Sequence, residues 1–277
     1  MDIGWIEAVI YGIVSGLTEY VPVSSQAHQL ILRSLLGFTE SNPFLNLFSH
    51  VGMLTGLLIT SGGFIRRLFN EYRYSKSYRR RRKREVNLQA VFDINFVKAA
   101  CVPMLIALVA YTRTMRWEDK IPIVALFLLL NGIILLVPMY LARGNKDSRN
   151  MSALDAVLFG IGASISVLPG VSRVGAGCSV AIIRGADPYH AYKWGLILSI
   201  PVLIVLICFD IVSVFGIGLA GVGLTFVLKC ILCGIFSHIA SSLAITLMKS
   251  LTVRSGLSGF SYYCWGAALF AFVIYLY

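Results

Sequence analysis

The chain has 277 residues, 57% of them apolar and 13% charged, with a mean hydropathy of +0.79 and a formal net charge of +11. Soluble globular domains carry roughly a quarter charged residues, so that class is excluded and a polytopic membrane protein is indicated. The charge is concentrated between Arg66 and Arg84, chiefly in the run R-R-R-R-K-R at 79–84, and a basic block between apolar stretches is the positive-inside signal of a cytoplasmic loop, not a nucleic-acid surface.

The first apolar segment, 3–17, contains Glu7, follows Asp2 and shows neither a basic start nor a small-residue cleavage site. It reads as a retained membrane segment, not a signal peptide. Residues 18–37 are interrupted by Glu19, Pro22, Ser24, Ser25 and His28. A span is expected at 44–65, followed by the basic loop 66–90 and further spans at 94–113 and 121–142. With the basic loop inside, R-W-E-D-K at 116–120 falls outside, and Arg143, Lys146 and Arg149 form a second positive loop inside, so the two basic loops agree. A span at 151–168 leads into a second interrupted segment, 166–187, which contains S-V-L-P-G-V-S-R-V-G-A-G. The remaining spans are expected at 191–212, at 215–248 (too long for one straight crossing, so broken near its glycines) and at 257–277. The six cysteines all lie in apolar stretches, and the C-x-x-C of Cys230 and Cys233, without a second pair or a histidine cluster, reads as two small buried residues. One membrane domain, 1–277, accounts for the chain.

The two interrupted segments share a theme: proline, a small residue, then a serine pair or Ser-Arg. Irregular polar backbone at membrane depth is tolerated only where protein or a watery cavity surrounds it. Paired interruptions in the two halves of a chain point to a site at a repeat interface. The expected fold is therefore all-α, with inverted repeats and two re-entrant helical loops meeting at a central cavity. The first loop brings Glu19, Ser24, Ser25 and His28; the second brings Ser172 and Arg173. Ionisable groups at this depth are functional by default. An arginine fork with serine hydroxyls and the backbone of a glycine-flanked turn, here Gly170, binds phosphate oxygens. A serine with a histidine offers a nucleophile and a base, and a carboxylate beside phosphate serves to hold a divalent cation or to orient a catalytic group. The pattern describes a phosphate site inside a membrane, whose substrate should be a lipid phosphate or diphosphate.

The stretches G-L-T-E-Y-V-P-V-S-S-Q-A-H and L-P-G-V-S-R-V-G resemble the two signature segments of the bacterial undecaprenyl-diphosphatase family, the bacitracin-resistance membrane phosphatases. The likeness runs through most of the chain, including L-L-G-F after the first motif, Asp155 before the second and F-S-Y-Y near the end. The resemblance implies dephosphorylation of the C55 isoprenoid diphosphate to its monophosphate, at a site open to the outer face of the cell membrane and dependent on a divalent cation such as Mg²⁺ or Ca²⁺. By position it gives catalytic roles to Glu19, Ser25 as nucleophile, His28 and Arg173, with Ser24, Ser172, Gly170 and Arg173 binding substrate. Expected partners are a polyprenyl diphosphate or phosphate lipid and membrane lipids, with room for a homodimer and no nucleic acid.

The departures from the family pattern are specific. Ser15 stands where the family has the first acid of a pair that would share a helix face with Glu19 at i, i+4. Asn46 and His50 stand where Glu and Gln are common, Val174 and Gly177 replace Ser and Thr, and Lys193 stands near a position where an acid or neutral residue is frequent. Metal binding would then fall to Glu19, with His50 able to ligate a metal or relay a proton in place of the missing acid. Two functions are open on the sequence: a prenyl-diphosphate phosphatase, favoured by Glu19, Ser25, His28 and Arg173, and a non-hydrolytic anionic-lipid binding protein or transporter, favoured by Ser15, Asn46, Val174 and Gly177. A small-solute carrier has no support from the resemblance.

Overall fold

The computed structural model describes residues 3–38, 41–76, 86–141, 144–218, 222–254 and 257–276. Among them are eleven α-helices: α1 (Trp5–Tyr20), α2 (Ser25–Leu35), α3 (Pro43–Thr60), α4 (Gly62–Lys76), α5 (Leu88–Thr114), α6 (Ile121–Leu136), α7 (Ala153–Ser164), α8 (Arg173–Ile183), α9 (Pro188–Ile217), α10 (Leu224–Arg254) and α11 (Gly259–Leu276). No strand occurs among the described residues, as the sequence predicts. Six of the described segments are long and apolar enough to cross a membrane: Pro43–Thr60, Leu88–Tyr111, Ile121–Tyr140, Pro188–Ile217, Leu224–Thr252 and Gly259–Leu276. Only 22 to 44% of each apolar window is buried within the protein, so most of each surface faces outward, as a lipid-facing helix requires. The chain is a multi-pass membrane protein.

The expected spans need two corrections. The segments read as spans at 3–17 and 151–168 are the helices α1 and α7, of 16 and 12 residues. At 1.5 Å per residue these rise about 24 and 18 Å, short of the roughly 30 Å hydrocarbon core; each stops at a proline-bearing turn. The stretch 215–248 is broken near its glycines, as expected: α9 ends at Ile217 before Gly218, and α10 is continuous from Leu224. The span at 44–65 ends at Thr60, and Gly62–Lys76 forms a separate helix, α4. The first part of the basic segment is thus helical, while the run 79–84 lies outside the described residues.

One arrangement occurs twice: a helix, a short turn, an eleven-residue helix and then a long helix. It comprises α1–α2–α3 and, later, α7–α8–α9. Small residues allow the close approach that packs each set. Gly12 and Gly16 of α1 lie against the backbone of Cys233 and Ser237 in α10, and Gly52 and Gly56 of α3 meet Gly234 and His238 on the same helix. These are two Gly-x-x-x-Gly faces on one neighbour, reinforced by Ser237 Oγ donating to Ser49 O at 2.9 Å and Ser241 Oγ donating to Gly16 O at 3.2 Å. A side chain at any of the four glycines would collide with backbone. Cys230 and Cys233 are buried in this packing as free thiols. In the second set, Gly160 of α7 lies against Ala100 O of α5, and Arg184 at the end of α8 reaches back to Asp155 at the start of α7 at 2.6 Å.

Candidate functional site

The first turn, 21–24, is set by Pro22 and by Ser24, whose φ of 70° is left-handed. A non-glycine residue held there is strained and persists only when its surroundings over-determine it. They do. His28 Nδ1 binds Ser24 O at 2.8 Å, Ser24 Oγ caps α2 by accepting from Ala27 N, and Tyr192 of α9 donates its hydroxyl to Tyr20 O at 3.2 Å. The second turn, 165–172, ends at Ser172, which caps α8 by accepting from Gly175 N at 3.2 Å. Asn131 of α6 joins the two turns. Fully buried, it donates from Nδ2 to Pro22 O at 3.1 Å and accepts from Ser172 N at 2.9 Å on Oδ1. An amide can do both at once because it carries a donor and an acceptor on one short stem.

Brought together, the turns form one wall of a cavity of about 230 Å³. Glu19, Ser24 and Ser25 line it from the first turn and Ser172 and Arg173 from the second. Arg173 Nη1 lies 3.1 Å from Glu19 Oε1, with both side chains at least 88% buried. The contact is an ion pair out of line for hydrogen bonding: Nη1 and Nε are buried and have no hydrogen-bond partner among the described residues. A buried guanidinium with idle donors on a cavity wall is built to receive an anion. Ser25 Oγ donates to Ser15 O at 3.2 Å.

The structure adds groups that sequence reasoning passed over. Asp210 of α9 holds His50 Nδ1 at 2.6 Å, and both line the cavity. Asp210 was detectable as a lone acid in the apolar run L-I-C-F-D-I-V. Gln26, Gln29 and Arg33 line the cavity from one face of α2. Gln26 Nε2 donates to Glu118 Oε1 at 2.7 Å, Gln29 Nε2 to Ser15 Oγ at 2.9 Å and Arg33 Nη1 to Asp119 Oδ1 at 2.8 Å. Burial pushes the Glu118 carboxyl up to about 7, against the opposing pull of a Tyr111 hydrogen bond and the Arg33 charge.

Two expected site residues are placed elsewhere. His28 is not among the residues lining the cavity; its Nε2 binds Tyr263 Oη of α11 at 2.8 Å and the rings stack. Gly170, with φ +118°, is buried against Val124 and Phe127 of α6 and does not line the cavity. Its left-handed backbone explains the glycine. Among the departures, Val174 and Gly177 also turn away from the cavity: Val174 packs on Gly195, and a side chain at Gly177 would press on Phe159 and Ala163. Lys193 lies over the Phe64 and Tyr189 rings. Asn46 lines the cavity, accepting from Tyr11 Oη at 2.7 Å. Among the described residues, no three His, Cys, Asp or Glu side chains are grouped to hold a metal ion alone. Glu19 and Asp210 both line the cavity and offer carboxylate oxygens, the donor type that Mg²⁺ takes.

The family model described as bacitracin resistance protein BacA matches residues 8–270. An undecaprenyl-diphosphatase of Methanobrevibacter smithii is 30% identical over 293 residues, covering 99% of this chain and 98% of the relative. Undecaprenyl-diphosphatase 2 of Halalkalibacterium halodurans is 27% identical over 271 residues (96% and 95%), and undecaprenyl-diphosphatase 1 of Shouchella clausii 29% over 273 residues (97% and 95%).

Proposed function

This chain belongs to the bacitracin resistance protein BacA family, and on that premise we propose that it is a membrane phosphatase that converts undecaprenyl diphosphate to the monophosphate, recycling the cell-wall lipid carrier. The observation that carries the proposal is the buried Arg173 fork, ion-paired to Glu19 at 3.1 Å and with Nη1 and Nε free of hydrogen-bond partners among the described residues, on the wall of a serine-lined cavity. Arg173 and Ser172 hold the terminal phosphoryl group. The Ser25 oxygen forms a new P–O bond as the bridging P–O bond breaks, and the electron pair leaves with the lipid monophosphate. The hydroxyl proton passes to His50, whose Nδ1–H is fixed by Asp210 and whose other nitrogen is then the basic one. Water releases the phosphate from Ser25. A divalent cation, where bound by Glu19 and Asp210, would neutralise charge on the phosphate oxygens.

The same reading includes inverted repeats whose two re-entrant hairpins approach from opposite faces. The first hairpin is tied through Arg33 to Asp119, beyond the C-terminal end of α5. The second lies near the N-terminal end of α5, where Ser148 Oγ donates to Asp93 at 2.6 Å and Trp194 Nε1 donates to the same carboxylate at 2.9 Å. The cavity takes Met115, Glu118 and Asp119 into its wall, so it lies at the end of α5 remote from the basic segment. With that segment cytoplasmic, the cavity opens outward; labelling of an Arg80→Cys variant from outside intact cells would refute this.

The deciding measurement is inorganic phosphate released from farnesyl or undecaprenyl diphosphate by purified protein, with Mg²⁺, with Ca²⁺ and with chelator. Release is expected with a cation. It should be lost in Arg173→Ala together with lipid binding, and lost in Ser25→Ala with binding retained. Wild-type protein that binds polyprenyl phosphate yet releases no phosphate with any divalent cation would replace this reading with lipid transport.

A further inference from the structure

The cavity holds a second arginine that the proposed chemistry does not use. Arg33 comes from the far end of α2, its side chain only 6% exposed, and it lines the same cavity as Arg173. Its ion-pair partner is Asp119, which is 44% exposed. Its Nε is buried and has no hydrogen-bond partner among the described residues. Gln26 and Gln29 precede it at helical spacing, so three polar side chains share one face of α2. The amides of Gln26 and Gln29 are fixed by Glu118 and Ser15. A helix that needed only packing would carry apolar residues there. Each arginine on the cavity wall thus has one carboxylate beside it, Glu19 for Arg173 and Asp119 for Arg33, and Arg173 leaves Nη1 and Nε, Arg33 only Nε, without a hydrogen-bond partner among the described residues. A diphosphate presents two linked anionic centres, and a planar guanidinium is the side chain best matched to each.

We propose that Arg33, with Gln26 and Gln29, forms a second phosphoryl-binding subsite, so that Arg33 and Arg173 each take one phosphoryl group of a diphosphate. The subsite gives the cavity a means of holding diphosphate more tightly than monophosphate, and so of releasing its product. This inference rests on the reading of the cavity as a phosphate headgroup site, though not on hydrolysis. The second phosphoryl group could belong to a lipid headgroup or to free pyrophosphate, and the chemistry of the subsite is the same for both.

The test is equilibrium binding to detergent-purified protein of three probes: the non-cleavable farnesyl methylenediphosphonate, farnesyl phosphate and inorganic pyrophosphate. Arg33→Gln should weaken the diphosphonate about tenfold or more and farnesyl phosphate by less than about twofold, the tenfold loss corresponding to about 1.4 kcal/mol. Arg33→Lys should recover part of the loss, and Arg173→Gln should weaken both lipids. Asp119→Asn separates a ligand site from a structural tie. If Arg33 binds an anion, removing the competing carboxylate leaves diphosphonate binding intact or tighter. If the pair merely anchors α2, Asp119→Asn loses affinity as Arg33→Gln does, and the proposal fails. It also fails if Arg33→Gln affects both lipids equally or neither. Pyrophosphate that competes with the diphosphonate in wild type and not in Arg33→Gln supports the subsite for the free anion as well; pyrophosphate that does not compete assigns it to the lipid. Because binding is read without turnover, a protein that releases no phosphate yet shows this discrimination would overturn the hydrolytic reading and leave the subsite standing.

Discussion

The two eleven-residue helices that carry the site, α2 and α8, use one backbone device for different loads. Each follows a proline turn and starts from a serine N-cap, and each rises only about 16 Å. In α8, Val174, Gly175, Ala176, Gly177, Cys178, Ser179, Ala181 and Ile182 are all buried; beyond Arg173 it is a packing element pressed between α7 and α9. In α2, only Ser25, Ala27, Leu30 and Arg33 are buried; Gln26, Gln29 and Arg33 line the cavity, and Gln26 and Arg33 reach Glu118 and Asp119 of the 115–120 connection. Of these two helices, α8 thus supplies one charge at a fixed place, whereas α2 shapes what surrounds it. Changes in α8 should act uniformly on every anionic ligand; changes along α2 should alter which ligand is preferred.

The sharpest way to break this division is to cut the link between the two turns. Asn131→Ala removes the bonds to Pro22 O and Ser172 N and leaves a buried carbonyl and a buried amide unpaired, at about 1–3 kcal/mol each. Phosphate release should fall about 30- to 100-fold in kcat, with little change in KM, because Arg173 remains present but is no longer held in register with Ser25. Asn131→Asp can still accept from Ser172 N and should lie between. Equal loss in both variants would mean that register between the turns is not what Asn131 supplies.

Much of this was legible in the sequence, and the limits are instructive. Glu19, Ser25, Ser172 and Arg173 stood out because polar residues beside proline in an apolar chain are costly to bury unless they build a site, and the structure places all four on one cavity. Gln26, Gln29 and Arg33 were passed over because a polar stripe on a helix reads equally as a solvated face; only the fold shows which way it points. Asn131 lies in an apolar span, and nothing local reveals that its two partners come from turns 109 and 41 residues away. The segments 3–17 and 151–168 read as spans because hydropathy reports apolarity and not where a helix stops.

His28 sharpens the comparison at intermediate size. It stands behind the first turn, bonded to Ser24 O and Tyr263 Oη, and therefore acts as a positioning residue for Ser24 and Ser25. His28→Ala should lower kcat about tenfold through loss of the bond that holds the strained serine. His28→Asn, whose amide can still donate to the Ser24 carbonyl, should recover most of the loss. The pH profile of kcat should keep its shape in both; a pH limb that disappears with the imidazole would instead give His28 a proton-transfer role.

The smallest expected effect on turnover, under about threefold, belongs to Glu118→Gln, since the amide can still accept from Gln26. Its signature is in stability. Burial raises the Glu118 carboxyl from 4.5 to about 7, so between those values the folded protein holds a proton that the unfolded chain has released. Folded-state stability then declines as pH rises from about 4.5 to about 7 and levels off above, once both states are ionised. Thermal midpoints in detergent should show that decline for the wild type and a flatter course for Glu118→Gln, with the two diverging most above pH 7. Glu118 is hydrogen-bonded by Gln26 of α2 and Tyr111 of α5 and engages no partner on α8. Substitutions along α8 should therefore shift the midpoint equally at every pH across this range. A pH-dependent shift from α8 as large as that from Glu118→Gln would show that the two helices do not divide the site as described.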